Sequence, residues 1–203
     1  MNIQIKVSTV EIPYITAIKY LDKRVNEIKS NKGKELIWIL EHPTTYTAGI
    51  RSNKNEIIDK NINIVSTNRG GKITLHNRGQ KIVYFVLDLN KRKKDIRNLI
   101  NVLERSIIEF LNMYGIKSKT DKKNIGIWVK DRKIAAIGVR VSKWVAYHGC
   151  SININNNLNE YKKIKPCGLS GDKVTSVNNE STFTLNNINK NLKEIFFSNL
   201  NNI

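Results

Sequence analysis

The sequence predicts an α+β domain, a mixed sheet carrying helices, and three observations predict it. Apolar residues recur at helical spacing in three stretches, six short runs read as strands, and several of those runs follow one another with only a tight turn between them. The first helical stretch, Ile15 to Ile28, places Ile15, Ile18, Leu21, Val25 and Ile28 on one face, with Gly33 as its stop signal. The second runs through Ile96, Leu99, Leu103, Ile107, Phe110, Leu111 and Tyr114 and ends at Gly115. A weaker third lies at Leu192 to Phe197.

The strand-like runs are Leu36 to Leu40, Ile62 to Ser66, Ile82 to Leu89, Ile125 to Val129, Lys133 to Val141 and Val145 to Ile154. Lys130-Asp131-Arg132 and Ser142-Lys143-Trp144 are too short for a crossover helix, so the strands they join are expected to be antiparallel. The asparagine-rich stretch Asn153 to Asn159 reads as a loop. Nothing divides the chain, and 203 residues suit a single domain, 1–203.

Composition narrows the classes of function. No apolar run approaches the roughly 20 residues a membrane span needs. Met1 to Val10 alternates apolar and polar residues, without the apolar core of a secretory signal, so a cytoplasmic location is expected. Cys150 and Cys167 are then reduced thiols, and His42, His76 and His148 are spaced too widely for a metal motif. Thirty-five Lys and Arg against 17 Asp and Glu give a net charge of +18. Such a field attracts nucleic acid or an acidic protein, but the basic residues are scattered and the aromatics fall within apolar periodic runs, which disfavours a nucleic-acid module.

Arg69-Gly70-Gly71-Lys72 invites a phosphate-loop reading. That motif requires Gly at 66 and Ser or Thr at 73, where this chain has Ser66 and Ile73. The stretch from Arg69 to Gln80 reads instead as a structured loop whose paired glycines let backbone approach a ligand, with Arg69 and His76 beside it. Cys150 lies in an alternating strand pattern and reads as a small buried apolar residue. Cys167 differs, because it sits between Pro166 and Gly168, downstream of Lys162, Lys163 and Lys165. A thiol in that positive field ionises below its free value of about 8.5 and becomes a nucleophile. By composition alone Lys133 is one surface lysine among many.

Together these residues resemble the lipoyl(octanoyl) transferase family over nearly the whole chain. Glu41-His42-Pro43 with Thr47-Ala48-Gly49 is similar to its first signature, and Arg69-Gly70-Gly71 with Thr74, His76, Gly79, Gln80 and Tyr84 to its second. Lys133 through Arg140, His148-Gly149, Asn153, Asn155, Pro166-Cys167-Gly168 and Thr175-Ser176 resemble its third. The resemblance implies a fold like that of biotin protein ligases and lipoate ligases. It implies Cys167 as acyl-accepting nucleophile and Lys133 as acid/base, the lysine that opens its strand, with Ala135 expected on the same face from strand alternation. Arg69, Gly70, Gly71, Lys72, His76, Tyr84, Ala135, Ala136, Ile137, Gly138, His148, Gly149 and Cys150 would line the substrate pocket.

It further implies octanoyl-acyl carrier protein as donor and, as acceptors, lipoyl domains of 2-oxoacid dehydrogenase complexes and the glycine-cleavage H protein. Neither a cofactor nor a metal is expected, and the enzyme is expected to be a monomer. Three positions depart from the family. Asn77 and Arg78 replace Gly and Pro, with Asn expected to preserve the turn through its tolerance of left-handed backbone, and Phe85 replaces a common Pro. The competing reading on the same fold is an ATP-dependent lipoate-protein ligase, which has no need of a nucleophile at Cys167.

Overall fold

The computed structural model describes residues 3–121, 124–166 and 171–203. Its centre is a seven-stranded mixed sheet in the order β1-β2-β6-β10-β9-β8-β7, with a separate three-stranded sheet, β4-β3-β5, beside it. The large sheet comprises β1 (Ile3–Val7), β2 (Glu35–Leu40), β6 (Gln80–Asp88), β7 (Lys119–Thr120), β8 (Ile127–Val129), β9 (Arg132–Ser142) and β10 (Val145–Asn153). The small one comprises β3 (Thr45–Ala48), β4 (Ile64–Ser66) and β5 (Ile73–His76). As the two short turns predict, β8, β9 and β10 are successive antiparallel neighbours.

Helix α1 (Tyr14–Lys29) links the parallel pair β1 and β2 and buries Ala17, Leu21, Val25 and Ile28 against Trp38, Tyr84, Val86 and Tyr147 on one sheet face. The other face takes Val83, Phe85, Leu87 and Ile152, packed under α2 (Ile96–Asn112) and α4 (Ile188–Asn201). A four-residue helix, α3 (Val177–Glu180), precedes α4. Gly115 terminates α2 at φ +71, with the Ile116 N–H closing back on the Leu111 carbonyl, the arrangement a glycine stop provides. After α1 the left-handed residue is Asn31 (φ 57), so Gly33 is not the stop expected there. Beyond β10, the expected asparagine-rich loop is shorter than read, because Leu158–Lys163 form a 3-10 helix capped by Asn157.

Ile62 to Ser66, read as a strand, holds β4 of the small sheet, while β1, β3, β5 and β7 go unread in the sequence. β3 and β5 have four residues each, and β7 has two. Such lengths give no periodicity to count.

Candidate active site

Between the α1-facing side of the large sheet and the small sheet lies a pocket. Its small-sheet wall is Arg69 to Lys72 with Thr74 and His76, and its floor is Ile82 and Tyr84 of β6. Lys133, Ala136, Ile137 and Gly138 of β9 and His148 to Ser151 of β10 complete it.

The glycines of the 69–72 loop are required by close backbone approach. A Cβ on Gly70 would stand 2.9 Å from the Val139 carbonyl oxygen, and one on Gly138 would stand 3.1 Å from the Gly70 oxygen, so loop and strand meet with no room between them. Gly71 takes φ +94. From behind, the Gly49 N–H donates to the Lys72 carbonyl and the Arg51 N–H to the Gly71 carbonyl. The nearly buried Arg69 side chain threads the loop, donating through Nη1 to the Gly70 and Lys72 carbonyls and through Nη2 to both oxygens of Thr47 at 2.9 and 2.8 Å. Lys72 pairs with Glu56 at 3.1 Å. Arg69 therefore staples the loop as well as lending it charge.

Lys133 is 5 % exposed. Its Nζ donates to the Ile125 carbonyl at 2.8 Å and lies 5.4 Å from the centre of the Trp128 ring, while Cε crosses Gly126 where any Cβ would be only 2.4 Å away. Opposite β8 the register slips: Trp128 faces Lys133, but Ile127 faces Ala135, leaving Ile134 as a bulge. The slip breaks the alternation of the strand. Lys133 reaches the pocket together with Ala136 and Gly138, and Ala135 turns into the helix-side core. Ala135, expected beside Lys133 in the pocket, is not among the residues lining this pocket and shares with Lys133 a smaller cavity that Pro166 also lines.

His148 owes its position to backbone strain. It takes φ +70, rare for a residue with a Cβ, and the next residue, Gly149, takes φ +157 with the Val83 carbonyl 1.9 Å from where a Cβ would sit. Neighbours in a strand normally face opposite ways, yet the Tyr147 and His148 rings stack at 4.9 Å, so His148 is turned to the pocket side. Its Nε2 meets Asn68 Oδ1 at 2.8 Å, and its buried Nδ1 has no partner among the described residues.

The other two histidines join Tyr14 and Tyr84 in a buried cluster, with Tyr14 stacked on His76 at 5.7 Å and His42 edge-on to His76 at 5.6 Å. His42 Nδ1 lies 2.6 Å from the Ile12 carbonyl, which can only accept, so Nδ1 carries the proton and Nε2 accepts from the Tyr84 hydroxyl at 3.0 Å. Gln80 donates its amide to the Leu75 carbonyl and so turns its oxygen to His76, whose Nδ1 donates at 2.8 Å. Burial lowers all three rings, His42 to about 4, His148 to about 3 and His76 well below its ordinary value, and the Arg69 charge adds to the effect at His76 and His148. The rings are neutral hydrogen-bonding groups at physiological pH.

Cys150 packs in the helix-side core at the edge of the pocket, and burial pushes its thiol far up, so it is no nucleophile, as its sequence context suggests. Cys167, the expected nucleophile, lies outside the described residues, with Gly168 beside it. Its flanks are fixed on both sides. Upstream, Ile164 bridges Ile57, the Lys165 N–H donates to the Glu56 carbonyl, and Pro166 is buried. Downstream, Val174 bridges Lys133. A second, smaller cavity is lined by Lys133, Ala135, Ala136, Ser151, Pro166 and Val174 among others. The expected residues Arg69, Gly70, Gly71, Lys72, His76, Tyr84, Lys133, Ala136, Ile137, Gly138, His148, Gly149 and Cys150 line the main pocket, joined by Thr74, Ile82 and Ser151, which were not expected there.

None of the three departures reaches this pocket. Phe85 is fully buried on the helix side, and Asn77 is held by its side chain, which donates to the Asn157 carbonyl and accepts from Asn156, and not by a left-handed backbone. Gly79, at φ +83, supplies the turn. Arg78 points away, pairing with Glu11.

Comparison with known proteins agrees with this fold. The family described as "Lipoyl protein ligase A/B catalytic domain" matches residues 13–197. An octanoyltransferase of Bartonella bacilliformis is 39 % identical over 94 % of this chain and 86 % of its own, and one of Wolbachia pipientis wMel is 43 % identical over 82 % and 83 %. In fold, the chain is similar to lipoate-protein ligase A bound with ATP, at TM-score 0.78 and 14 % identity over 99 % of this chain and 86 % of that one. It is also similar to biotin protein ligase from Aquifex aeolicus, at TM-score 0.54 and 15 % identity over 98 % and 70 %. The chain belongs to the lipoyl protein ligase A/B catalytic domain family and, within it, is an acyltransferase of the octanoyltransferase group.

Proposed function

We propose that this enzyme takes the octanoyl group from octanoyl-acyl carrier protein onto Cys167 as a thioester and passes it to a lysine of a lipoyl domain, with Lys133 moving the protons. Octanoyl transfer in protein lipoylation follows from the family. The observation that carries the finer reading is that Lys133 lines one cavity with Pro166, the residue bonded to Cys167. Connectivity keeps residue 167 within about 3.8 Å of Pro166, Cα to Cα.

In the first half-reaction the Cys167 thiolate attacks the thioester carbonyl. The C–S bond to the carrier breaks, and the departing thiolate takes a proton from the Lys133 ammonium. In the second, the neutral amine of the acceptor lysine attacks the acyl-enzyme, Lys133 receives the proton it loses, and the Cys167 thiolate departs, leaving an amide. Backbone N–H groups of the Gly70-Gly71 loop are the candidate donors to the oxyanion, a contribution of about 3 kcal/mol each. Exchange of one thioester for another is nearly balanced and amide formation runs downhill, so no nucleotide is consumed. Acceptors are the lipoyl domains of 2-oxoacid dehydrogenase complexes and the H protein, and the enzyme acts as a cytoplasmic monomer. Among the described residues no helix is long and apolar enough to cross a membrane.

The competing reading, an ATP-dependent ligase, draws support from the likeness to a lipoate-protein ligase bound with ATP, which extends to the fold alone. Incubation with octanoyl-acyl carrier protein and an unmodified lipoyl domain separates the two. Octanoylation of the domain without nucleotide is expected; transfer that begins only when ATP and free acid are added would overturn the proposal.

A further inference from the structure

Lys133 is held through its main chain as firmly as through its amine. Its N–H donates to the Lys173 carbonyl and its own carbonyl accepts from the Thr175 N–H, both at 2.9 Å, a parallel bridge centred on Val174. Thr175 is fully buried with every polar group engaged: its carbonyl accepts from Asn153 Nδ2 at 2.9 Å and its hydroxyl donates to Glu180 Oε1 at 2.6 Å. The same Oε1 accepts from Arg132 Nη2 at 2.6 Å.

One carboxylate oxygen therefore grips two segments. Arg132 immediately precedes Lys133 on β9. Thr175 belongs to the strip leading away from the segment that contains Cys167. The Glu180 side chain is 11 % exposed and stands at the end of α3, whose turn is closed by the Ser181 N–H on the Val177 carbonyl. Both bonds it accepts are short, and the bond from Arg132 is charge-assisted. Without the carboxylate, the buried Thr175 hydroxyl would lose its acceptor, a loss that drives local rearrangement.

From this geometry we infer that Glu180 is a positioning residue for acyl transfer: by holding Arg132 and Thr175 on one oxygen, it fixes Lys133 against the strip Lys173 to Thr175 that follows Cys167 in the chain. The inference rests on the reading of Cys167 and Lys133 as the reacting pair.

The test follows the alkylation of Cys167 by iodoacetamide against pH, with the modified site identified by peptide mass, beside the rate of acyl-enzyme formation from octanoyl-acyl carrier protein. Glu180→Ala and Thr175→Val are each expected to move the alkylation midpoint upward and to slow acylation by about tenfold, with the KM for the donor unchanged. Glu180→Gln, which keeps an acceptor for the threonine, recovers most of the loss. A merely structural glutamate would lower the melting temperature without moving the titration of the thiol. Lys133→Ala is the reference. If it shifts the profile while folded Glu180→Ala does not, the inference falls alone; if neither shifts it, the Cys167 and Lys133 reading falls and takes the inference with it. Should Glu180→Ala fail to fold, Thr175→Val decides by the same two readouts.

Discussion

Tyr84 donates its phenolic hydrogen to Nε2 of His42 at 3.0 Å, and it does so because Nδ1 of that ring is committed to the Ile12 carbonyl. Tyr84 thereby presents its ring to the pocket and keeps its hydroxyl out of it. Tyr84→Phe leaves a buried acceptor on His42 unpaired and is expected to cost about 1–3 kcal/mol of stability, read by chemical denaturation. Wild-type stability in that variant would contradict the tautomer assigned to His42.

The three buried histidines make stability depend on acid in a defined direction. Above about pH 6.5 the rings are neutral in both folded and unfolded chains and contribute no pH dependence. As pH falls below that value the unfolded chain takes up protons that the folded chain refuses, because burial holds His42 near 4 and His148 near 3. Stability therefore declines with acid, by about 3 kcal/mol for His42 alone when pH reaches its folded value. Calorimetry at pH 5.5 in buffers of different ionisation enthalpy should register proton uptake on unfolding. Replacing His148 with Asn should reduce it, and an unchanged uptake would contradict a neutral, buried His148.

Two glycines of the site separate by the space around them. Gly149→Ala drives a Cβ to 1.9 Å from the Val83 carbonyl inside the central sheet and is expected to abolish folding. Gly138→Ala meets the Gly70 oxygen at 3.1 Å, a contact the loop can relieve by a small shift. That variant should fold and melt near wild type but lose about a hundredfold in acylation rate through the displaced loop. Wild-type acylation in Gly138→Ala would show that the Gly70-Gly71 loop takes no part in positioning the acyl group.

Net charge of +18 favours encounter with acidic partners. Raising ionic strength from 0.01 to 0.3 M, written as about a fivefold contraction of the Debye length, should slow transfer under kcat/KM conditions and leave kcat unchanged. A flat profile would assign the charge to composition with no role in capturing the carrier.

How far the architecture can be read from the chain follows from where residues obey their usual periods. The stripes of α1 and α2 are long enough to average out single exceptions, and the turns at Lys130 and Ser142 force antiparallel neighbours whatever the side chains do. Local exceptions are invisible in the pattern. Ala135 leaves the main pocket because the bulge at Ile134 reverses the alternation, and His148 faces the pocket only because its φ is positive. Ile82 and Ser151 carry no chemical signature, the first reading as an ordinary core isoleucine and the second as a neighbour of Cys150. Arg69, His76 and Lys133 are found by their place in recurring motifs, since nothing about an isolated lysine or arginine announces a buried, hydrogen-bonded role.

The most direct test of the account is the mass of the intact protein after brief exposure to octanoyl-acyl carrier protein without acceptor, followed by mapping of the modified peptide. The account predicts a single octanoyl adduct, labile to hydroxylamine as a thioester is, on the peptide containing Cys167 and missing from Cys167→Ala. An adduct that persists in Cys167→Ala, or an active enzyme that never forms one, would contradict it.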